Sequence, residues 1–327
     1  MSLNDIQSIS NQLGFHSTIQ NILRIVDKIA STNSAVLIIG ESGTGKEIVA
    51  RAIHNNSPRR DKPFMVINCA GIAAAQIENE LFGYEKGIIS GESSSEAGII
   101  EMANNGTVFL EDISELNKIA QSKLFRVIQD KQICRTGGKT YITVDVRIIS
   151  ASNKELEPLI KQGDFRDDLY YRLNVINIKL PPLRDRSSDV AMLTDFFVGK
   201  YSESSGTAVN CVSHIALQML QSYGWPGNVR QLESVIERAV LMSSNSCIEP
   251  VDLPSEITYA HPSDSEEETK FVLPANGINF EKFEKEIIVQ AMARVDWVIG
   301  KAAPLLGMTY KTLQYRLDKF KIDRPMS

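Results

Sequence analysis

The chain has 327 residues, enough for two or three domains, and its 43% hydrophobic and 23% charged residues are an ordinary balance for a globular protein. No apolar run approaches the roughly 18 residues of a membrane span, and the first ten residues lack the basic and apolar segments of a signal peptide. The four cysteines show no Cys-x-x-Cys spacing, so we expect reduced thiols and a cytoplasmic location without a structural metal site.

Charge is unevenly distributed along the chain. The net charge is −5, yet residues 279–327 hold nine Lys and Arg against six Asp and Glu, a local balance of +3. The remainder therefore carries −8. A basic C-terminal piece on an acidic body favours a small nucleic-acid-binding module attached to a larger domain.

Residues 14–184 alternate short β-rich apolar runs with helical patterns, which predicts an α/β fold with a parallel sheet between layers of helices. The helix candidates are Lys46–Asn55 and Ile119–Asp130. The strand candidates are Ala35–Ile39, Phe64–Ile67, Thr107–Leu110, Val146–Ala151 and Val175–Lys179.

The rest of the chain divides by composition. Residues 1–13 form a tail, and residues 185–256 carry three apolar stripes of helical period, which predict an all-α subdomain. Residues 257–277 are polar, acidic and proline-bearing and are expected to be a linker. Residues 278–327 are helical again and form the basic module.

A predicted strand runs directly into a loop with the spacing Gly-x-x-x-x-Gly-Lys, the Walker A pattern in its strand–loop–helix context. The backbone N–H groups of such a loop hold phosphate oxygens, and Lys46 would reach the β- and γ-phosphates of ATP. Glu47 stands where Ser or Thr usually helps to bind Mg²⁺. A turn that is merely glycine-rich is the alternative. The predicted nucleotide contacts are Gly40, Glu41, Ser42, Gly43, Thr44, Gly45, Lys46 and Glu47.

A second apolar strand, in "GTVFLEDI", ends in two acids, Glu111 and Asp112. Acids at the carboxyl end of a strand in such a sheet are placed to hold Mg²⁺ and to polarise an attacking water. Two solvated turn residues are the alternative.

The last helical block has the layout of a helix-turn-helix. A helix from Trp297 to Leu306 stops at Gly307, which tolerates positive φ, and a second begins near Thr309, a suitable N-cap. Its apolar stripe comprises Leu313, Leu317 and Phe320. The predicted DNA contacts are Thr309, Tyr310, Lys311, Gln314, Tyr315, Arg316 and Lys319. The alternative is a helical hairpin that packs on the body and binds nothing.

Long motifs give the chain a specific resemblance over residues 14–254. They include "GESGTGKEIVARAIHNNSPR", "ELFGYEKG", "GDFRDDLYYRLNV", "LPPLRDR" and "YGWPGNVRQLE". The chain resembles the AAA+ P-loop ATPase domain of the bacterial enhancer-binding proteins, the activators of sigma-54 RNA polymerase. The resemblance implies a three-layer α/β/α domain with an all-α lid. The C-terminal module resembles a Fis-type domain, which implies dimerisation through a helix near Phe280–Arg294 and a palindromic double-stranded DNA site.

The resemblance assigns further roles. Asn68 would sense the γ-phosphate and pair with the catalytic acid, and Asn153 would be a polar sensor. Arg166 and Arg172 would be arginine fingers that reach the neighbouring subunit's site, which implies a hexameric ring. Arg230 would be the lid arginine that contacts nucleotide. Without the resemblance, the three arginines are ordinary surface charges and the two asparagines are turn residues.

The sigma-54 contact loop of the family, spelled GAFTGA, corresponds here to Gly87, Ile88, Ile89, Ser90, Gly91 and Glu92. Ile89 replaces an aromatic, which gives a smaller contact without a π face. Further departures are Glu96, Ile100 and Asn105, and the Asp-Glu order of the strand-end acids is reversed. Nucleotide binding and ring assembly are therefore expected to be kept, while hydrolysis and the mechanical output are altered.

Three functions remain open at this point. The leading one is an ATP-hydrolysing activator of sigma-54 RNA polymerase. The second is a DNA-binding regulator with a weakened sigma-54 contact or weakened hydrolysis, acting as a repressor, co-regulator or mixed-ring partner. The third is an AAA+ machine for another protein. No receiver or sensory sequence precedes residue 14, so we expect control by a partner in trans, by DNA or by expression level.

Overall fold

A parallel sheet lies at the centre of the first of the two units into which the chain divides, Met1–Ser265 and Glu266–Ser327. The structure is a computed structural model that describes residues 12–73, 75–88, 94–258, 279–295, 297–320 and 322. The first part of this unit contains α1 (Ser17–Ala30), β1 (Val36–Ile39), α2 (Lys46–Asn55), β2 (Phe64–Asn68), α3 (Ile77–Phe82), β3 (Gly83–Tyr84), β4 (Glu96–Ala97), α4 (Ile99–Met102), β5 (Thr107–Glu111), α5 (Lys118–Asp130), β6 (Gln132–Cys134), β7 (Tyr141–Thr143), β8 (Arg147–Ser152), α6 (Glu157–Gln162), α7 (Asp167–Leu173) and β9 (Ile176–Lys179).

The five central strands lie in the order β2-β5-β8-β1-β9 and all pair in parallel. β1 and β8 are buried along their whole length, as near-continuous apolar strands covered by helices on both faces should be. Separate apolar clusters fill the two faces of the sheet. The fold class predicted above is confirmed, and each of the five predicted strands lies within one residue of an observed one.

A mainly helical lid with one short pair of strands follows the sheet, where the sequence predicted an all-α subdomain. It begins with a 3₁₀ turn at Leu183–Arg186 and contains α8 (Ser188–Ser205), β10 (Cys211–Val212), α9 (His214–Ser222), α10 (Asn228–Met242), β11 (Cys247–Ile248) and α11 (Ser255–Thr258). Its core surrounds Trp225, which is fully buried. The Trp225 indole N–H donates to the carbonyl of Leu220, so the polar edge of the ring is satisfied inside the core.

The prediction of four reduced thiols is wrong for two of them. Cys211 and Cys247 form a disulfide, and they are register partners in the pairing of β10 with β11. Their Cα atoms lie 4.5 Å apart, within the range that a disulfide bridges. The two residues are separated by 36 positions, so no short Cys spacing in the sequence predicts the pair. It forms only when the lid folds. Cys69 and Cys134 are free.

The disulfide should stabilise the lid by restricting its unfolded chain. For a loop of this length, a Cys211→Ser, Cys247→Ser double variant is expected to lose about 3–4 kcal/mol of unfolding free energy under oxidising conditions. Urea denaturation with and without a thiol reductant measures this loss. The reductant should lower the unfolding free energy of the parent to that of the double variant. Cys134→Ser is the control and should respond like the parent. A parent whose unfolding midpoint ignores the reductant would contradict the prediction.

The second unit is a three-helix bundle of α12 (Phe280–Arg294), α13 (Ile299–Leu305) and α14 (Tyr310–Phe320). α13 ends just before Gly307, whose φ is +62°, and the hydroxyl of Thr309 accepts from the N–H of Thr312 at 3.3 Å. The predicted stop and N-cap are therefore both present. The bundle core comprises Ile288, Met292, Ala302, Ala303, Leu313 and Leu317. Across the described residues of both units, no helix combines the length and apolarity that a membrane crossing needs.

Candidate functional site

The glycine-rich loop lies between β1 and α2 with a conformation that requires its glycines. Gly43 and Gly45 have φ values of +78° and +104°, in the region that favours glycine. A Cβ at Gly43 would collide with the carbonyl of Gly227, and one at Gly45 would collide with Leu13. The loop therefore packs closely under the lid and leads directly into the N-terminus of α2.

Lys46 is buried at the start of α2. Its ammonium donates to the carbonyls of Gly40 at 2.8 Å and Glu41 at 3.0 Å. Burial lowers the pKa of the Lys46 ammonium below its ordinary value, while the carboxylates of Asp112 and Glu111 oppose that shift. The cation and both acids therefore share one site.

Four polar residues predicted from the sequence lie at the carboxyl edge of the sheet. Asn68 ends β2, Glu111 ends the neighbouring β5, and the two are register partners. The Asn68 amide donates to the Glu111 carboxylate at 3.4 Å. Asp112 follows in the left-handed region with φ +53°, and Asn153 directly follows β8 and is exposed.

A cleft of about 210 Å³ joins the loop to the lid. The N–H groups of Val229 and Arg230, at the start of α10, point at the Gly43 carbonyl at 3.0 and 3.3 Å. The Arg230 guanidinium donates to the Ser42 hydroxyl at 3.2 Å. The cleft is lined by Gly43, Gly45, Lys46, Glu47, Ile48, Glu111, Val229, Arg230 and Glu233. The structure thus brings the predicted lid arginine to the predicted phosphate loop.

Two residues of this site were missed by sequence reasoning. Arg184, in the turn that begins the lid, donates twice to the carboxylate of Glu41, at 2.9 and 2.6 Å. Asn228, fully buried at the start of α10, donates to the same carboxylate at 3.1 Å. Their motifs, "LPPLRDR" and "GNVRQL", are recognisable in the sequence, but nothing in either predicts a partner in the phosphate loop.

The two predicted arginine fingers lie outside the set of residues that lines the cleft. Arg166 is exposed at the start of α7 and pairs with Asp168, at 2.7 Å between Nη2 and Oδ2. Arg172, also exposed, donates to the side-chain oxygen of Gln129 at 3.4 Å. Within one chain these arginines are placed on the surface and contribute nothing to the chain's own cleft.

The contact loop is described only at its start. Gly87 has φ +86°, and the half-exposed Ile88 packs against Gly137 in the turn between β6 and β7. Ile89, Ser90, Gly91 and Glu92 lie outside the described residues. The stem is held by backbone bonds from Glu85 N to Thr136 O at 3.0 Å and from Thr136 N to Gly83 O at 2.8 Å.

The residues near the loop that depart from the family pattern have local partners. The Tyr84 hydroxyl donates to the Glu96 carboxylate at 2.6 Å, so the acid closes the loop's stem. Ile100 is fully buried, and Asn105 adopts φ +64°, which Asn tolerates better than most residues. These changes are accommodated by the fold.

The predicted DNA contacts on α14, the last helix of the C-terminal unit, fall into two sets. Tyr310, Lys311, Gln314 and Tyr315 are exposed. Arg316 instead pairs with Glu284 on α12, and Lys319 lies 3.4 Å from Glu281 on the same helix. The first set is exposed, Lys319 also remains partly exposed beside Glu281, and Arg316 is engaged with the helix that precedes the motif.

Comparisons with known proteins agree with this arrangement. The family described as "Sigma-54 interaction domain" matches residues 13–179, "AAA+ ATPase lid domain" matches residues 184–270, and "Bacterial regulatory protein, Fis family" matches residues 279–320. Nitrogen fixation protein AnfA of Azotobacter vinelandii is 43% identical over 96% of this chain and 58% of its own length. Regulatory protein AtoC of Escherichia coli is 41% identical over 93% of this chain and 66% of its own length.

Among solved structures, NtrX from Brucella abortus in complex with ADP is 32% identical, with a TM-score of 0.70, covering 97% of this chain and 71% of that one. The sheet, loop and lid define an AAA+ P-loop ATPase domain joined to a helix-turn-helix unit. With these matches, the chain belongs to the bacterial enhancer-binding proteins. It spans less than two thirds of the length of AnfA and AtoC.

Proposed function

We propose that this chain uses ATP in an oligomeric ring to remodel sigma-54 RNA polymerase while its C-terminal unit binds DNA upstream of promoters in the cytoplasm. The observation that carries the proposal is the cleft between phosphate loop and lid, in a chain whose residues 13–179 match the sigma-54 interaction domain. The Fis-type unit adds the means to bind double-stranded DNA, and pairing of such units favours a palindromic site.

The residues present fit ATP with Mg²⁺. Lys46 and the loop N–H groups suit the phosphates, and the carboxylates of Glu111 and Asp112 are the oxygen ligands that Mg²⁺ prefers alongside phosphate oxygens. When bound, the ion neutralises charge on the phosphoryl oxygens. Asn68 holds Glu111, and Asn153 lies two strands from β2 at the same edge. We assign the activation of water to Asp112, the shorter acid, and expect a reduced rate of hydrolysis.

Assembly is proposed to complete the site. Arg166 and Arg172 lie on the surface, so they can stabilise phosphoryl charge only in a neighbouring subunit, as in a hexameric ring. The contact loop, Gly87 to Glu92, would touch sigma-54. A regulatory partner in trans remains part of the proposal.

In vitro transcription with sigma-54 RNA polymerase tests the proposal. The parent chain is expected to drive ATP-dependent open-complex formation on a promoter that carries its DNA site. An Ile89→Phe, Ser90→Thr variant should do so several-fold better, because an aromatic buries more area in the contact. Val251→Ala, in the lid, is the control for substitution of an exposed apolar residue outside the loop. A parent and loop variant that bind DNA yet never activate under any nucleotide would contradict the proposal and favour a repressor or mixed-ring partner.

A further inference from the structure

The phosphate loop contains an acid, Glu41, whose negative charge has the same sign as the charge of the nucleotide phosphates. Glu41 is the second residue of the loop, between Gly40 and Ser42. A loop that binds a nucleotide polyphosphate gains from cations and backbone N–H groups, and a carboxylate beside the phosphates repels them. The loop therefore requires a group that neutralises Glu41 and holds its carboxylate in place.

The structure provides that group from the lid. Arg184 meets the Glu41 carboxylate through both terminal nitrogens, and the two parallel hydrogen bonds fix the orientation of the acid. These bonds hold the pKa of Glu41 below its ordinary value, so the carboxylate stays ionised and paired. Both side chains are partly exposed, so the pair by itself adds little to folding stability.

A buried amide shares the same acid. Asn228 adopts φ +53° and has no exposed surface. Its side-chain nitrogen donates to Glu41 at 3.1 Å and to the carbonyl of Ser42 at 3.0 Å, and its oxygen accepts from the N–H of Leu183 at 2.8 Å. One carboxylate of the loop is thus contacted from the turn that begins the lid and from the start of α10.

We propose that Arg184 is a positioning residue that cancels the charge of Glu41 and so maintains the affinity of the phosphate loop for nucleoside di- and triphosphates. This inference rests on the proposed nucleotide-binding function. Arg184 acts through Glu41, and the fully buried Asn228 orients the same acid. Loss of Arg184 leaves an uncompensated negative charge on the phosphate loop, and removing that charge at Glu41 should restore the affinity.

The test is ADP binding, measured by calorimetry in the presence of Mg²⁺, which does not depend on hydrolysis. Arg184→Ala is expected to bind ADP roughly tenfold more weakly, the order of effect of one uncompensated charge near a polyphosphate. Arg184→Ala combined with Glu41→Gln should return to within about threefold of the parent, and high salt should reduce the defect of Arg184→Ala. Thermal melting verifies that all variants are folded.

A matched control comes from another bidentate arginine–carboxylate pair of this chain. Arg135 donates to both oxygens of Glu101, at 3.0 and 2.7 Å, and neither residue belongs to the phosphate loop. Arg135→Ala should leave ADP affinity unchanged. Equal weakness of Arg184→Ala and of the double variant would overturn the inference and show that Arg184 contacts the nucleotide directly. Unchanged affinity of Arg184→Ala would also overturn it. A parent that binds no ADP would contradict the proposed function itself.

Discussion

Replacement of Arg166 by alanine is expected to slow ATP hydrolysis by roughly 10³-fold, the lower end of what an arginine finger contributes. The structure places this guanidinium on the surface, paired with Asp168, and not among the residues that line the chain's own cleft. If Arg166 acts, it must therefore act on a neighbour. Steady-state ATPase measurement at a protein concentration that supports assembly gives the rate. Arg60→Ala, an exposed arginine paired with Asp61, is the control and should keep the parent rate.

Mixing two inactive variants separates action in trans from simple damage. Lys46→Ala lacks the phosphate lysine but keeps Arg166, whereas Arg166→Ala keeps Lys46. In an equimolar mixed ring with head-to-tail contacts, roughly one quarter of the sites would combine an intact loop with an intact finger. The mixture should therefore recover about a quarter of the parent activity per site. A mixture as inactive as its parts, at concentrations where rings form, would contradict the assignment of Arg166.

The sequence was a good guide to the sheet. The strands β1, β5 and β8 are short apolar runs in the sequence. A strand that is buried on both faces must be apolar at nearly every position, so this pattern predicts such strands well. The loop and the strand-end acids could be placed because both are local patterns that a parallel sheet brings to one edge. In the C-terminal unit, Gly307 and Thr309 marked the turn through backbone and capping preferences that act within a few residues.

What could not be predicted are pairings made by the folding of the lid. Glu41 and Arg184 are 143 positions apart, and Cys211 and Cys247 are 36 apart. Each pair forms only when two segments that are distant in the sequence come together in the folded chain, and neither segment has a composition that predicts the contact. The direction of Arg316 was missed for the same reason, because its partner Glu284 is on a different helix. Such long-range contacts produce no periodic pattern and no characteristic residue spacing by which the sequence could predict them.

The order of the two strand-end acids is expected to limit turnover. The family pattern places Asp before Glu, and this chain has Glu111 before Asp112. Asn68, which is expected to pair with the catalytic acid, donates to Glu111, whereas the second position, which activates water in the family pattern, holds the shorter Asp112. A double exchange, Glu111→Asp with Asp112→Glu, restores the family order. It is expected to raise ATP turnover by up to ~10²-fold, the cost of a misplacement near 1 Å.

The measurement is kcat for ATP in parent, exchange variant and the two single variants, with ADP affinity as the check that the loop is intact. Glu111→Asp alone should be slow, because it shortens the acid that Asn68 holds without lengthening the base. Asp112→Glu alone should show part of the gain. Asp112→Asn removes the proposed base and should lose nearly all turnover while still binding ADP. If the exchange instead lowers kcat and Glu111→Gln is as inactive as Asp112→Asn, Glu111 activates the water and the reversed order is functional. In that case the hydrogen bond from Asn68 marks the catalytic acid directly.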